Sequence, residues 1–260
     1  MEIRDWKEYA DTVSIVVPVY NAGRFLAETI EMVQKQTYTD WELLLADDCS
    51  ADDSMEIAKR YAAQDDRIHP IMQKRNVGAA CTRNAGIRQA KGRFLCFLDA
   101  DDIWESDYLE CQKKLIEIYP DAGIYSTAFY SLEKGKRKLR NVLINEHTHF
   151  LVHDYFKESV MNGLSICWTS SLCLKKEVIK EIPMFRVGIK RGEDLDLWLR
   201  IALNYDVAYL NLPKVFYRTG LSDSLTSDYS KNGEFPYYEW FNFTSESSYY
   251  RKYVILVVYI

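Results

Sequence analysis

The chain has 260 residues, 48% of them hydrophobic and 27% charged, with a formal net charge of −5. That balance describes an ordinary soluble globular protein with room for one large α/β core, and it gives no reason to expect a nucleic-acid partner. No apolar run approaches the roughly 20 residues a spanning helix needs, and the polar, acidic start "MEIRDWKEYADT" does not read as a signal peptide.

In chain order the pattern alternates. Val13 to Val19 (VSIVVPV) is a short, β-branched apolar run and predicts a buried strand. Phe25, Leu26, Ile30 and Val33 recur at helical spacing between Gly23 and Gln36. Trp41 to Asp47 (WELLLAD) predicts a second strand. Ser50 or Asp52 is positioned to cap a helix carrying Met55, Ile57, Ala58, Tyr61 and Ala62. Ile68 to Met72 is a weaker third strand. Ala79 to Ala90 predicts a helix that stops at Lys91-Gly92, and Phe94 to Leu98 a fourth strand. A helix capped by Ser106 follows and is ended by Pro120. Strands and helices alternating at these lengths predict βαβ units and a mostly parallel sheet covered on both faces.

After Gly123 the rhythm changes. Gly123 to Leu132 and Lys138 to Ile144 predict a hairpin around the basic turn "EKGKRK". A mixed region follows, with strand-like "SICWTSSLCLKK", a helix from Glu193 to Tyr205, and strand-like "DVAYLNLPKVFYR". With no linker, repeat or low-complexity stretch, one domain is expected over residues 1–260. Its first half is about 13–122, its second about 123–220, and 221–260 is a tail ending in the apolar run Tyr253 to Ile260. That run predicts either a buried element or, with the basic pair Arg251-Lys252, a membrane-facing foot. The six cysteines, Cys49, Cys81, Cys96, Cys111, Cys167 and Cys173, show no metal-like spacing and predict free thiols in a reducing cytoplasm.

Ligands of open α/β sheets bind at the carboxyl ends of strands. Three predicted strands end in Pro18-Val19-Tyr20-Asn21, Asp47-Asp48 and Asp99-Ala100-Asp101-Asp102. If these strands are neighbours, one edge gathers an aromatic ring, an amide and up to five carboxylates, which suits a ribose, a stacked base and a hard divalent cation such as Mg²⁺ or Mn²⁺. No GxxxxGK[ST] and no GxGxxG is present, so a diphosphate has to be neutralised in another way.

With "VSIVVPVYNAGRFLAETIEMVQKQTYTDWELLLADDCSADDS", "NVGAACTRNAGI", "GRFLCFLDADDIW" and "RGEDLDLWLR" in this order, the chain resembles the family-two inverting glycosyltransferases of GT-A fold from about Val13 to Arg218. The resemblance implies an α/β fold whose mostly parallel twisted sheet is flanked by helices, with a Rossmann-like nucleotide-binding half and an acceptor half. It implies transfer of a sugar from a nucleoside-diphosphate sugar, best matched by a UDP-sugar, to a hydroxyl of a glycan or lipid-linked acceptor. Pro18 and Tyr20 then line the base pocket with Asn21 beside them, Asp48 contacts the base, Arg83 faces the nucleotide, and Asp99 binds ribose. Asp101 ligates Mg²⁺ or Mn²⁺ with Asp99, while Asp102 either reaches the metal through water or starts the next turn. Asp194 is the general base, with Glu193 orienting it or touching the acceptor.

One departure stands out. Where family members often carry a histidine after "YR", this chain has Gly220 and Leu221, leaving Ser222, Ser224 or Lys231 to reach phosphate. The four histidines form no metal set, and Trp168 reads as a core residue more than a pocket one. The rival readings are a non-catalytic sugar-nucleotide-binding subunit and a nucleotidyltransferase. "PVYNAGRFL" lacks the glycine-rich basic loop that the latter wants. A lipid-linked acceptor further implies cytoplasmic work at the inner membrane face, through peripheral membrane contact.

Overall fold

The computed structural model describes residues 11–163, 165–189 and 192–220. The expectations for Tyr253 to Ile260, Leu221, Ser222, Ser224 and Lys231 lie outside the described residues. The first half reads β1 (Val13–Val19), α1 (Gly23–Gln34), β2 (Trp41–Asp47), α2 (Ser54–Ala62), β3 (Ile68–Met72), α3 (Ala79–Gln89), β4 (Phe94–Phe97), β5 (Ile103–Trp104) and α4 (Tyr108–Ile118). The second half reads β6 (Ile124–Glu133), β7 (Lys136–Arg140), β8 (His149–Val152), α5 (Tyr155–Asn162), a 3₁₀ turn (Thr169–Ser171), β9 (Leu172–Lys175), α6 (Val178–Glu181), α7 (Glu193–Ala202) and β10 (Val207–Arg218).

Ten strands form one sheet, running β3-β2-β1-β4-β9-β6-β10-β5, with β7 added to β6 and β8 to β10. β1 to β4 pair in parallel, whereas β9 pairs antiparallel with both β4 and β6, so the sheet becomes mixed in its second half. Strict alternation explains the continuous apolar runs. Val13, Ile15, Val17 and Leu43 face a core shared with Leu26 and Ile30 of α1, Ile57 of α2 and Leu109 of α4. Val16, Leu44, Leu95 and Phe97 face the opposite core, with Ile87 of α3, Phe156 of α5, and Leu197 and Trp198 of α7. Strands covered on both faces have no solvent side on which to place polar residues.

Several boundaries differ from the sequence reading for local reasons. Neither Ser50 nor Asp52 is the N-cap of α2. The Asp52 carboxylate instead accepts bonds from the Ser54 amide and hydroxyl and from the Gly23 amide, tying the starts of α2 and α1 together. The chain after Asp102 first forms the two-residue β5, antiparallel to β10, so α4 begins at Tyr108 rather than at Ser106. The hairpin turns earlier than expected, at Lys134-Gly135, because both residues adopt positive φ (47° and 78°), the requirement of a tight two-residue connection matched to strand twist. In "SICWTSSLCLKK" only Leu172–Lys175 is a strand. Among the described residues no helix is long and apolar enough to cross a membrane.

α3 lies directly on β1, and Gly86 is the point of closest approach: a Cβ there would sit 2.5 Å from Cγ1 of Val16. Valine has little χ1 freedom with which to yield. Gly86→Ala is therefore expected to destabilise the fold by about 1–3 kcal/mol in spite of alanine's better helix propensity. Thermal unfolding checks it: a melting temperature at or above that of the parent chain contradicts the contact.

Candidate active site

Strand order places the carboxyl ends of β2, β1 and β4 side by side. At the end of β1, Pro18 is half-buried, Tyr20 is 56% exposed, and Asn21 takes a left-handed conformation, with φ 49°. Asn21 is a turn former as well as an edge residue: its amide donates to Ser50 Oγ and its side-chain oxygen accepts from the Ala51 amide. Asp47 accepts from the amides of Cys49 and Ser50 in an Asx turn. Asp48 is buried, and its two oxygens accept from the amides of Val77 (2.7 Å) and Gly78 (2.9 Å). It thus fixes the loop leading into α3 to the β2 end, and Tyr20 and Asn21 are the exposed residues at the β1 end.

The opposite side of the edge is a charge network. Arg83 projects from α3, almost wholly buried, and bridges Asp99 beyond β4 (2.8 Å) and Glu193 at the first position of α7 (2.7 Å). Its guanidinium also lies over the Phe185 ring, 5.6 Å from the centroid. The adjacent Asn84 side chain exchanges two hydrogen bonds with the Phe185 backbone. Phe185 packs edge-on against Phe97 and Trp198, so the strand β4, α3 and the root of α7 share one aromatic joint. Burial acts against the Arg83 charge, yet Asp99, Glu193 and Asp194 together raise its pKa above the usual guanidinium value. Burial, and then Asp194, raise the Glu193 carboxyl against the opposing pull of Arg83.

The 3₁₀ turn is the second organiser. Thr169 Oγ1 donates to Asp194 Oδ2 (2.7 Å). Ser170 Oγ donates to Asp102 Oδ2 (2.5 Å) and accepts from the Asp99 amide (3.1 Å), and its carbonyl accepts from Trp104 Nε1. One turn therefore touches Asp99, Asp102 and Asp194. Sequence reading passed over Thr169 and Ser170; the available signal was a run of three hydroxyl residues interrupting an apolar stretch. Trp168, expected in the core, is half-buried, stacked on Phe129 and packed against Tyr217.

Asp102 is buried. Its second oxygen accepts from the Arg218 amide (3.2 Å), so its carboxylate buttresses the turn with each oxygen already accepting one bond. Asp101 is the more open of the pair. Burial and the neighbouring Asp99 push its carboxyl up to about 6, partly offset by Arg218 and Arg24. Among the described residues no three His, Cys, Asp or Glu side chains are grouped to hold a metal ion. Asp101, with Asp99 beside it, nevertheless fits one: a carboxyl raised by burial and by a neighbouring acid is short of positive charge, and hard cations usually take only one or two protein carboxylates, with phosphate oxygens completing the shell.

Comparison with known proteins agrees with this architecture. TuaG of Bacillus subtilis, named as a teichuronic acid biosynthesis glycosyltransferase, is 30% identical over 205 residues, 79% of this chain and 76% of that protein. WfgD of Escherichia coli, a UDP-Glc:α-D-GlcNAc-diphosphoundecaprenol β-1,3-glucosyltransferase, is 43% identical over 100 residues, covering 38% of this chain and 39% of that one. Among solved structures, residues 1–349 of S. aureus TarS in complex with UDP-GlcNAc superpose with a TM-score of 0.76 at 18% identity, over 95% of this chain and 71% of that one. This likeness shows the GT-A fold. Residues 14–182 match Glycosyl transferase family 2, and the chain belongs to that family of glycosyltransferases.

Proposed function

We propose that the protein transfers a sugar, with inversion, from a UDP-sugar to a hydroxyl of a glycan or lipid-linked acceptor. The observation that carries this reading is Asp194: an acid at the head of α7, one oxygen held by Thr169, and joined through Glu193 and Arg83 to Asp99 on the donor side. In this reading 1–260 is one catalytic domain, the β1–β4 half taking the donor and the half from β6 to β10 the acceptor. TarS was solved with a UDP-sugar and WfgD is named for UDP-Glc and a diphosphoundecaprenol acceptor, which supports both assignments. A lipid-linked acceptor would place the work at the cytoplasmic face of a membrane.

The roles follow from position. Tyr20 offers its exposed ring to the base, flanked by Pro18 and Asn21, while Asp48 shapes the pocket wall by holding the Val77-Gly78 backbone. Asp99 accepts from ribose with the oxygen that Arg83 leaves free. Asp194 takes the proton of the acceptor hydroxyl as its oxygen bonds to the anomeric carbon, from the face opposite the diphosphate, and the bond from that carbon to the diphosphate breaks with its electron pair leaving on the nucleotide. Thr169 keeps the carboxylate oriented, and Glu193 is occupied by Arg83. A divalent cation, Mg²⁺ or Mn²⁺, held by Asp101 and Asp99, would stabilise charge on the departing diphosphate as a Lewis acid.

A screen of nucleotide sugars with nucleoside-diphosphate release as the readout tests the reaction. Release is expected from a UDP-sugar in the presence of Mn²⁺ or Mg²⁺, to disappear with EDTA and return when metal is restored. Asp101→Asn is expected to lower turnover by 100-fold or more, as removing a several-kcal/mol electrostatic contribution would. Full EDTA-sensitive activity in Asp101→Asn refutes the metal assignment, and no release from any donor refutes the function.

A further inference from the structure

The β6–β7 hairpin carries a charge pattern that glycosyl transfer does not use. Lys134, Lys136, Arg137, Lys138 and Arg140 fall within seven positions of a chain whose net charge is −5. Arg137 lies over the Phe216 ring and Arg140 donates to Ser131 Oγ, whereas Lys134, Lys136 and Lys138 make no ion pair among the described residues. A charged outer strand protects a sheet edge from pairing with other chains. That purpose does not explain the apolar side chains set among the cations: Leu139 is 46% exposed, Val142 43% and Ile144 95%.

These exposed groups sit on a fixed backbone. Asn141 is buried, donating to the Ser165 carbonyl and accepting from Asn162. Leu143 is buried, and its amide and carbonyl both bond to the Asn211 side chain, each at 2.9 Å. Val142 and Ile144, on either side of buried Leu143, are thus held outward just beyond β7.

Register gives the position of β7. β10 occupies one edge of β6 from Ile124 to Leu132, so β9 and β7 share the other edge, β9 at Ile124–Ser126 and β7 at Phe129–Glu133. β7 therefore continues the sheet past the start of β9, beside the 3₁₀ turn that holds Asp194. Its pairing partner Leu132 lies opposite Arg218, whose amide bonds Asp102. The basic strand flanks the candidate site on its acceptor side.

We propose that the β6–β7 hairpin and the Val142–Ile144 segment dock on the anionic headgroups of a lipid bilayer, with the cations at the phosphates and the apolar side chains in the headgroup boundary. Cations are attracted to an anionic leaflet, and neighbouring apolar groups add area buried at the interface. A soluble polyanion would use the lysines but would leave the exposed Val142 and Ile144 without a role, which is why a bilayer is the better fit. The orientation brings the acceptor side of the site to the membrane surface.

Sedimentation of the full chain with vesicles tests it. Binding is expected to vesicles containing phosphatidylglycerol, to be weak to pure phosphatidylcholine, and to fall as salt rises. Lys136→Glu with Lys138→Glu is expected to weaken partitioning by on the order of 20-fold or more, since each basic residue near an anionic surface is worth about fivefold. Val142→Ser with Ile144→Ser is expected to weaken it severalfold while preserving the salt dependence. If the glutamate pair fails to fold, Lys134→Gln with Lys138→Gln makes the same test at exposed positions. Three results overturn the proposal: no binding by the parent chain, parental binding by both variants (which moves the contact elsewhere, for instance to Tyr253–Ile260), or hairpin-dependent binding of inorganic polyphosphate without any to vesicles. None of these outcomes bears on UDP release, so the transfer reaction stands or falls separately.

Discussion

Asp194→Asn is expected to leave the fold and nucleotide binding intact while lowering kcat by about 10²–10⁴-fold, the range a positioned general base supplies. Asparagine keeps the size of the side chain and can still accept from Thr169 Oγ1 through its carbonyl, giving up only the bond from the adjacent Leu195 amide. What it loses is basicity. The effect should fall on kcat with little change in KM for the donor, because the proton is transferred only as the new bond forms. Thr169→Val separates position from chemistry. It removes one hydrogen bond to the carboxylate, and an intermediate loss of about tenfold is expected, largely restored by Thr169→Ser. Pre-steady-state nucleotide release with parallel donor-binding titrations makes the distinction. If Asp194→Asn abolishes donor binding instead of turnover, the residue belongs to the donor pocket and the base lies elsewhere.

The sequence was most legible where each face of the sheet is buried in the same way. β1 and β2 match the expected runs residue for residue, because a strand covered on both faces is buried along its length and mostly apolar; β3, at the sheet's edge and only partly buried, matches its weaker run as well. The same logic fails where the sheet turns mixed. β5 has only two residues and exists through its pairing with Val215 and Phe216, more than a hundred positions away. "CWTSSLCL" has the composition of a strand, but its hydroxyls bond the nearby Trp168 amide and the distant carboxylates of Asp194 and Asp102, and the chain turns before it pairs.

The site residues show a similar division. The motifs put the right residue types at strand ends, but the partners that decide what each one does lie far off in sequence. For Asp102, read either as a ligand through water or as the start of the next turn, the bonds from Ser170 and the Arg218 amide add weight to the turn role. Asp48 reads from its position as a base contact, and the spacing gives no sign that its carboxylate also holds the Val77-Gly78 backbone about 30 positions away. Arg83 pairs with one acid 16 positions away and another 110 away, a bridge that no local spacing reveals.

That bridge sets the largest stability effect expected here. Arg83→Met removes the one side-chain cation that, among the described residues, bonds both Asp99 and Glu193, and takes the ion pair from two partly buried carboxylates. Breaking a buried ion pair by deleting one member typically costs about 3–5 kcal/mol, more than the attraction itself contributes to stability, because the surviving charge stays desolvated. For a chain of this size each kcal/mol moves the melting temperature by roughly 2–4 °C, so a fall of about 10 °C is expected. The pH dependence has a definite sign. Glu193 is already raised by burial and by Asp194, and losing Arg83 removes what opposed that shift. A carboxyl whose folded pKa lies above its unfolded value binds more protons in the folded state, so the variant should regain stability as pH falls from neutrality towards the ordinary glutamate range. Adding Glu193→Gln to Arg83→Met should recover much of the loss at pH 7 and flatten that dependence, since the buried charge is then gone. Thermal melts of the parent, single and double variants between pH 5 and pH 8 provide the check. A single variant as stable as the parent at every pH would mean that Asp99 and Glu193 are held by packing alone, and that Arg83 is retained to meet the nucleotide and not to fasten α7 to the donor edge.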